Sequence, residues 1–252
     1  MTGAAHPAKP VRRDRAWWDP RRWLAARELR VLTVLSLLAA GLWVFIRIAQ
    51  YVETGKVARL DEELVLVLRN PSDKADPLGP QWLEEMMRDF TALGGVAVLA
   101  PLSAAAIGYL LLIKKRETAF MACIAVGGGI AASLLLKDFF DRARPDLVPY
   151  GSYVYTKSFP SGHSMLSTVT YLTLGAILAR VQQRRLLKYY LVALALGAAA
   201  LVGFSRVYLG VHWPSDVVAG WAAGSVWALA VWFVTHLLQH TGNIEPEPKE
   251  RG

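Results

Sequence analysis

Residues 189–216 read YYLVALALGAAALVGFSRVYLGVHWPSD. Its first two-thirds is apolar and long enough, at about 1.5 Å per helical residue, to cross about 30 Å of hydrocarbon. Ser205 and Arg206 then appear at its end, with His212 and Asp216 close behind. Ionisable groups at membrane depth are costly and mark functional sites. The stretch therefore predicts a transmembrane helix that delivers polar residues to one membrane face.

Five further stretches have the same character, at about 31–49, 92–113, 118–136, 162–180 and 214–237. Across 252 residues, 54% are hydrophobic and 19% charged, with a mean hydropathy of +0.31. That balance excludes intrinsic disorder. The single cysteine, Cys123, excludes an intramolecular disulfide and a Cys-rich metal site. The expected fold is all-α, a six-transmembrane-helix bundle with short interfacial helices between helices 1 and 2. Gly and Ala crowd the 118–136 and 189–209 stretches, which predicts that these two lie inside the bundle. The first stretch continues past the small residues Ala39, Ala40 and Gly41, so it reads as an uncleaved helix rather than a signal peptide.

Lys and Arg set the orientation. Seventeen of the 28 fall in residues 1–30, 114–117, 180–188 and the tail after 240, and ten fall on the opposite side. Both termini are thus expected in the cytoplasm and the 50–91 segment outside. The net charge of +8 follows from this bias and gives no indication of nucleic-acid binding. Within 50–91, Leu60, Leu64, Val67 and Leu68 recur at helical spacing, as do Trp82, Met86, Met87 and Phe90. Two short amphipathic helices at the outer interface fit, serving either as a linker with apolar anchors or as a lid.

Four polar clusters stand at helix ends: Lys137 with Arg144, Ser161-Gly162-His163, Arg206, and His212 with Asp216. The topology puts all four on the outer face. Lys137, Arg144 and Arg206 supply three cations suited to phosphate oxygens. Ser161 and Gly162 open a helix, whose free N–H groups favour an anion. His212 and Asp216, four apart, are expected on one helical face, so the carboxylate can hold one ring nitrogen and leave the other as a base or nucleophile. His163 can then protonate a leaving oxygen. No metal-ligand set and no cofactor motif accompanies them. Taken singly, Lys137 could snorkel, His163 could be a cap, and Asp216 could pair with Arg206; their convergence favours the phosphate reading. Asp138, Asp141, Arg142, Asp146 and Lys157 read as structural or solvated, and His6, His236 and His240 receive no role.

These residues carry a resemblance. Lys137 with Arg144-Pro145, Pro160-Ser161-Gly162-His163, and Ser205-Arg206 with His212 and Asp216 resemble the three-part signature of the type 2 phosphatidic acid phosphatases, the PAP2 superfamily. The resemblance implies a metal-independent lipid phosphatase working through a phosphohistidine. His212 would be the nucleophile, Asp216 its orienting partner and His163 the general acid. Lys137, Arg144, Ser161, Gly162 and Arg206 would hold the phosphoryl group. It implies a lipid phosphate or polyprenyl diphosphate substrate and residence in a bacterial inner membrane. The domain plan is a basic cytoplasmic segment (1–30), a membrane phosphatase domain (31–237) and a cytoplasmic tail (238–252). The alternatives are a lipid phosphotransferase of the same superfamily and a non-catalytic phospholipid-binding or transport protein. Oligomeric state is left open.

Overall fold

A computed structural model describes residues 20–146 and 157–240. The first part of the basic N-terminal segment, including His6, and the tail after 240 lie outside the described residues, as do positions 147–156. Helix α1 spans Pro20–Glu53, α2 Ala58–Leu66, α3 Gln81–Ala92, α4 Val96–Leu112, α5 Arg116–Phe139, α6 Gly162–Val181, α7 Arg185–Tyr208 and α8 Pro214–His240. Two short strands, β1 (Arg69–Asn70) and β2 (Asp73–Pro77), pair antiparallel between α2 and α3. The chain divides into a unit ending at Ser36 and a unit from Leu37 onward.

Among the described residues, five helices are long and apolar enough to cross a membrane: α1 from Val31, α5, α6, α7 and α8. The expected second crossing, 92–113, takes a different form. Helix α4 alone is short and carries Pro101 inside it, and it joins α3 through a 43° bend. Counted as one broken span, the pair would bring the crossings to the six expected. Gly94 and Gly95 occupy the break, and a β-carbon on Gly94 would stand 2.3 Å from Val202 Cγ1 of α7. The chain is a multi-pass membrane protein, mainly α-helical as its composition predicts.

Helix α6 is the centre of the second unit. Nearly half of its apolar window is buried, 44% against 22% for α7, and it packs on α4, α5, α7 and α8. The sequence pointed to the Gly/Ala-rich α5 and α7 as interior. Gly127 and Gly197, however, have open space beside them, so those stretches are only partly used for contact. The closest backbone approach comes from α8 instead. β-Carbons on Gly220 and Gly224 would stand 2.8 Å from the Ser161 carbonyl oxygen and 2.7 Å from that of Met165. Small residues four apart let α8 lie directly on α6, where van der Waals contact drives association in lipid. Indole N–H groups then bridge the helices, Trp221 to the Ala199 carbonyl of α7 at 3.0 Å and Trp227 to that of Ala125 of α5 at 2.8 Å.

The 50–91 segment forms two short helices, α2 and α3, as its spacing predicts, with the β1–β2 pair between them. Leu60, Leu64 and Val67 are exposed, while Asp61 and Val65 face inward. Val65 packs with Val207 and Val217, which ties α2 to α7 and α8. On α3, Trp82 is exposed and Met87 buried, so the four apolar residues there do not share one environment. In a membrane protein an exposed leucine has lipid for a solvent, and apolar spacing alone does not choose the packed face.

Candidate active site

Three local structures bring the polar residues to one end of the bundle. Helix α7 ends at Tyr208, and Gly210 takes the left-handed conformation (φ 70°) that glycine enters without steric cost. Its N–H bonds the Val207 carbonyl at 2.9 Å and the Val211 N–H bonds that of Arg206 at 3.1 Å, a Schellman turn. The chain is thereby folded back, with His212 just ahead of Pro214, the first residue of α8. Helix α6 is capped by Ser161, whose Oγ accepts from the Ser164 N–H at 3.4 Å. The Ser161 N–H donates to the Asp216 carbonyl at 3.0 Å, which locks the start of α6 to the first turn of α8.

His212 therefore precedes α8 rather than sharing a helical face with Asp216, a correction to the spacing argument. The two still meet: Nδ1 of His212 lies 3.3 Å from Oδ2 of Asp216. The Ser158 hydroxyl also lies 3.3 Å from that Nδ1 and donates to the same carboxylate oxygen. On the other side of the ring, Arg144 Nη1 stands 2.9 Å from Nε2 and donates to the Val211 carbonyl at 2.7 Å. Guanidinium only donates, so Nε2 must present its lone pair and the proton of the neutral ring belongs on Nδ1. His212 is 1% exposed and Asp216 fully buried. Burial pushes the His212 imidazole well below its ordinary value, and the charges of Arg144, Arg206, Lys137 and His163 push the same way.

The remaining expected residues converge on this ring. Lys137, at the end of α5, donates from Nζ to the Lys157 carbonyl at 3.0 Å, and its Cε lies 3.2 Å from where a Gly162 β-carbon would stand. Its stem thus crosses the first turn of α6. Arg206 is 8% exposed; Nη1 donates to Thr91 Oγ1 at 3.3 Å, and Nε has no partner among the described residues. His163, on the first turn of α6, points toward the α3–α4 break, its Nε2 3.9 Å from the place of a Gly95 β-carbon.

Asp216 pairs with Arg142, at 2.6 Å, and not with Arg206. Arg142, read as structural or solvated, is a buried bridge that also reaches Asp61 at 2.7 Å. Asp138, Asp141 and Asp146 are exposed, and Asp141 makes a surface pair with Lys157 at 3.3 Å. His236 stacks on Trp232 at 5.3 Å, far along α8 from its first turn. Sequence reasoning missed Ser158, Arg142 and Asp61. Asp61 left one signal: it shares a helical face with Val65 (i, i+4), an acid where an apolar residue belongs.

Among the described residues no group of three or more His, Cys, Asp or Glu could hold a metal ion. The arrangement gathers an imidazole with an available Nε2 lone pair, a second imidazole and three cations near one another.

Several known proteins are similar to this chain. Residues 117–239 match the model of the PAP2 superfamily. Phosphatidylglycerophosphatase B of Bacillus subtilis (strain 168) is 29% identical over 187 residues, 71% of this chain and 85% of that protein. The undecaprenyl-diphosphatase of Sulfolobus acidocaldarius is 36% identical over 88 residues, 35% of this chain and 36% of that one. The crystal structure of a transmembrane PAP2-type phosphatidylglycerolphosphate phosphatase from Bacillus subtilis superposes with a TM-score of 0.68 at 28% identity, covering 80% of this chain and 96% of that one. With its signature residues gathered at one end of a membrane-spanning helical bundle, residues 117–239 form a PAP2 superfamily domain, and the protein is a membrane phosphatase.

Proposed function

We propose that the protein hydrolyses the phosphate of a membrane lipid, a monophosphate or a diphosphate, on the outer face of a bacterial inner membrane through a phosphohistidine. The observation that carries this reading is the two-sided grip on His212. Asp216 and Ser158 face Nδ1 while Nε2 presents its lone pair to Arg144. An incoming phosphoryl group takes the place of that lone pair's partner. Nε2 attacks phosphorus, the P–N bond forms, and the P–O bond to the lipid breaks as His163 gives its proton to the leaving oxygen. Arg144, Arg206 and Lys137 take up the charge on the equatorial oxygens, with the unpartnered Nε of Arg206 one ready donor. Ser161 and Gly162 hold the phosphoryl group at the start of α6. Water, deprotonated by His163, then attacks phosphorus, breaks the P–N bond and frees inorganic phosphate.

The lipid substrate is supported by position. Helix ends of membrane-crossing length are where phosphate headgroups are expected, and the named activities of the relatives include a glycerophospholipid phosphatase and a polyprenyl diphosphatase. The outer face is supported by the sequence count, with 17 of the 28 Lys and Arg in residues 1–30, 114–117, 180–188 and after 240. The test is phosphate release from a panel of purified lipid phosphates in detergent, with chelator present and no acceptor lipid. Release that persists under chelation and is blocked by vanadate is expected. Activity abolished by chelation and restored by magnesium would overturn the mechanism, and release only with an acceptor lipid would make it a transferase.

A further inference from the structure

We infer that Asp61, on the short helix α2 outside the membrane-spanning bundle, is a positioning residue for the reaction: through Arg142 it holds the Asp216 carboxylate in register with His212. The inference rests on the proposed role of His212 as nucleophile.

The geometry is a closed chain of buried groups. Asp61 Oδ2 accepts from Arg142 Nη2 at 2.7 Å, and Arg142 Nη1 donates to Asp216 Oδ1 at 2.6 Å. Ser215 closes the loop: its hydroxyl accepts from Arg142 Nη1 at 2.7 Å and donates to Asp61 Oδ2, and its N–H donates to Asp61 Oδ1 at 2.9 Å. The side chains of Asp61 and Asp216 are 2% and 0% exposed and that of Arg142 is 14%. The Trp213 ring covers the guanidinium, 5.7 Å from centroid to Cζ. The two carboxylates are thus held out of solvent with every oxygen hydrogen-bonded, and the largely shielded guanidinium lies between them, which favours persistence of a buried ion network.

Two consequences follow for His212. Asp61 caps α8 from another helix by taking the Ser215 N–H, one of the free donors of the first turn, and so fixes the turn that carries Asp216. It also occupies one prong of the Arg142 fork. Without that carboxylate, both prongs are free to chelate Asp216, whose Oδ2 would turn from Nδ1 toward the guanidinium. The imidazole would then lose the partner that keeps its proton on Nδ1. Asp61 also adds a negative charge to the site. His212 is faced by Asp216 of α8, Lys137 of α5, His163 of α6, Arg206 of α7 and Arg144, so four of its five charged or titratable neighbours oppose its protonated form. Removing the Asp61 charge strips away part of the compensation and lowers the basicity of the ring further.

The test uses the full chain in detergent with dioctanoyl phosphatidate. Asp61→Asn keeps size and loses charge. The expected result is a fall in kcat of roughly tenfold to a hundredfold, the loss typical of groups that orient a functional imidazole from behind. KM stays within about twofold, and the acid limb of the kcat profile moves to lower pH by roughly half a unit. Glu62→Gln, an exposed acid on the same helix, is the control and should match the parent. Should Asp61→Asn fail to fold, Arg142→Lys reads the same point, since one ammonium cannot hold both carboxylates in fork geometry. It should lower kcat with KM kept. A parental kcat in whichever variant folds overturns the inference, as does a fall in kcat with an unmoved pH profile in Asp61→Asn. His212→Ala separates the two ideas: turnover surviving in it defeats the nucleophile reading, whereas its loss beside a parental Asp61→Asn defeats only the positioning role.

Discussion

The two ends of the α5–α8 bundle use the same residue types at opposite cost. At the catalytic end, Arg142 and Arg206 are buried, and carboxylates or hydroxyls meet them. At the far end Arg184 and Arg185 lie exposed beside the α6–α7 turn. The interior there is apolar, with Leu110, Ala119 and Ala122 packed against Ile107 and Ile177. A groove of about 350 Å3 runs beside them, lined by Leu102, Tyr109, Ile113, Leu174 and Leu178. Burying a charge is costly and is offset by the partners that meet it, whereas an exposed arginine at a helix end keeps its water. The catalytic end is therefore a precise and brittle arrangement, and the far end is a packed, forgiving one.

The largest effects should come from breaking the catalytic end at its centre. His212→Ala should lower turnover by at least about 10⁴-fold on every substrate, because no other group supplies the attacking nitrogen. His163→Ala should cost on the order of 10²–10³-fold on alkyl phosphates and far less on aryl phosphates, whose leaving groups depart as anions. Initial rates on a matched alkyl and aryl pair check both. Equal losses on the pair would remove His163 as the acid. The pH profile sharpens the same point. Protonated His212 cannot attack, and its burial among cations favours the neutral form. Activity should therefore be retained as pH falls through about 6.5, the ordinary histidine value, and fail only below it. An acid limb at or above that value would contradict the cationic setting of the ring.

An intermediate effect is expected at the α6–α8 contact, which holds the two halves of the site together. In Gly220→Ala the new methyl meets the Ser161 carbonyl and the Met165 N–H, backbone that cannot swing aside. Overpacking of this kind costs about 1–3 kcal/mol. The Ser161–Asp216 backbone bond should loosen with it, so Tm and kcat should fall together. Gly197→Ala on α7, with open space beside it, should leave both near the parental value.

What the sequence disclosed follows the same division. The apolar runs and the signature residues were legible, because hydrocarbon thickness and phosphate chemistry each demand a local pattern. Lys137, Arg144, Ser161, Gly162, Arg206, His163, His212 and Asp216 do gather at one bundle end. The supports were not legible. Ser158 and Arg142 lie in irregular chain, where no periodicity says which way a side chain turns. Asp61 belongs to a helix whose exposed leucines do not mark the side that packs inward. The pair Gly220 and Gly224 did carry a readable small-residue spacing, and it marks where α8 meets the backbone of α6. The bend between α3 and α4 had Gly94, Gly95 and Pro101 as its signals, though a continuous apolar run concealed it.

The smallest effect is expected at the far end, and it tests whether the two ends are energetically separate. Arg185→Gln removes a charge exposed on the first turn of α7, next to the helix N-terminus, where a cation is mildly unfavourable. Its partners are water and lipid headgroups, so stability should change by less than about 0.5 kcal/mol. Turnover in detergent should stay within about twofold of the parent, since charges beyond a Debye length of about 10 Å are screened. The charge still has a function to lose, because it belongs to the excess that sets orientation. A cysteine introduced at Arg185 and labelled in intact cells with an impermeant thiol reagent should remain unlabelled, while one at Lys74 in β2 is labelled. The reverse pattern would put the catalytic end in the cytoplasm without disturbing its chemistry. A tenfold loss of detergent activity in Arg185→Gln would show instead that the bundle transmits changes from one end to the other.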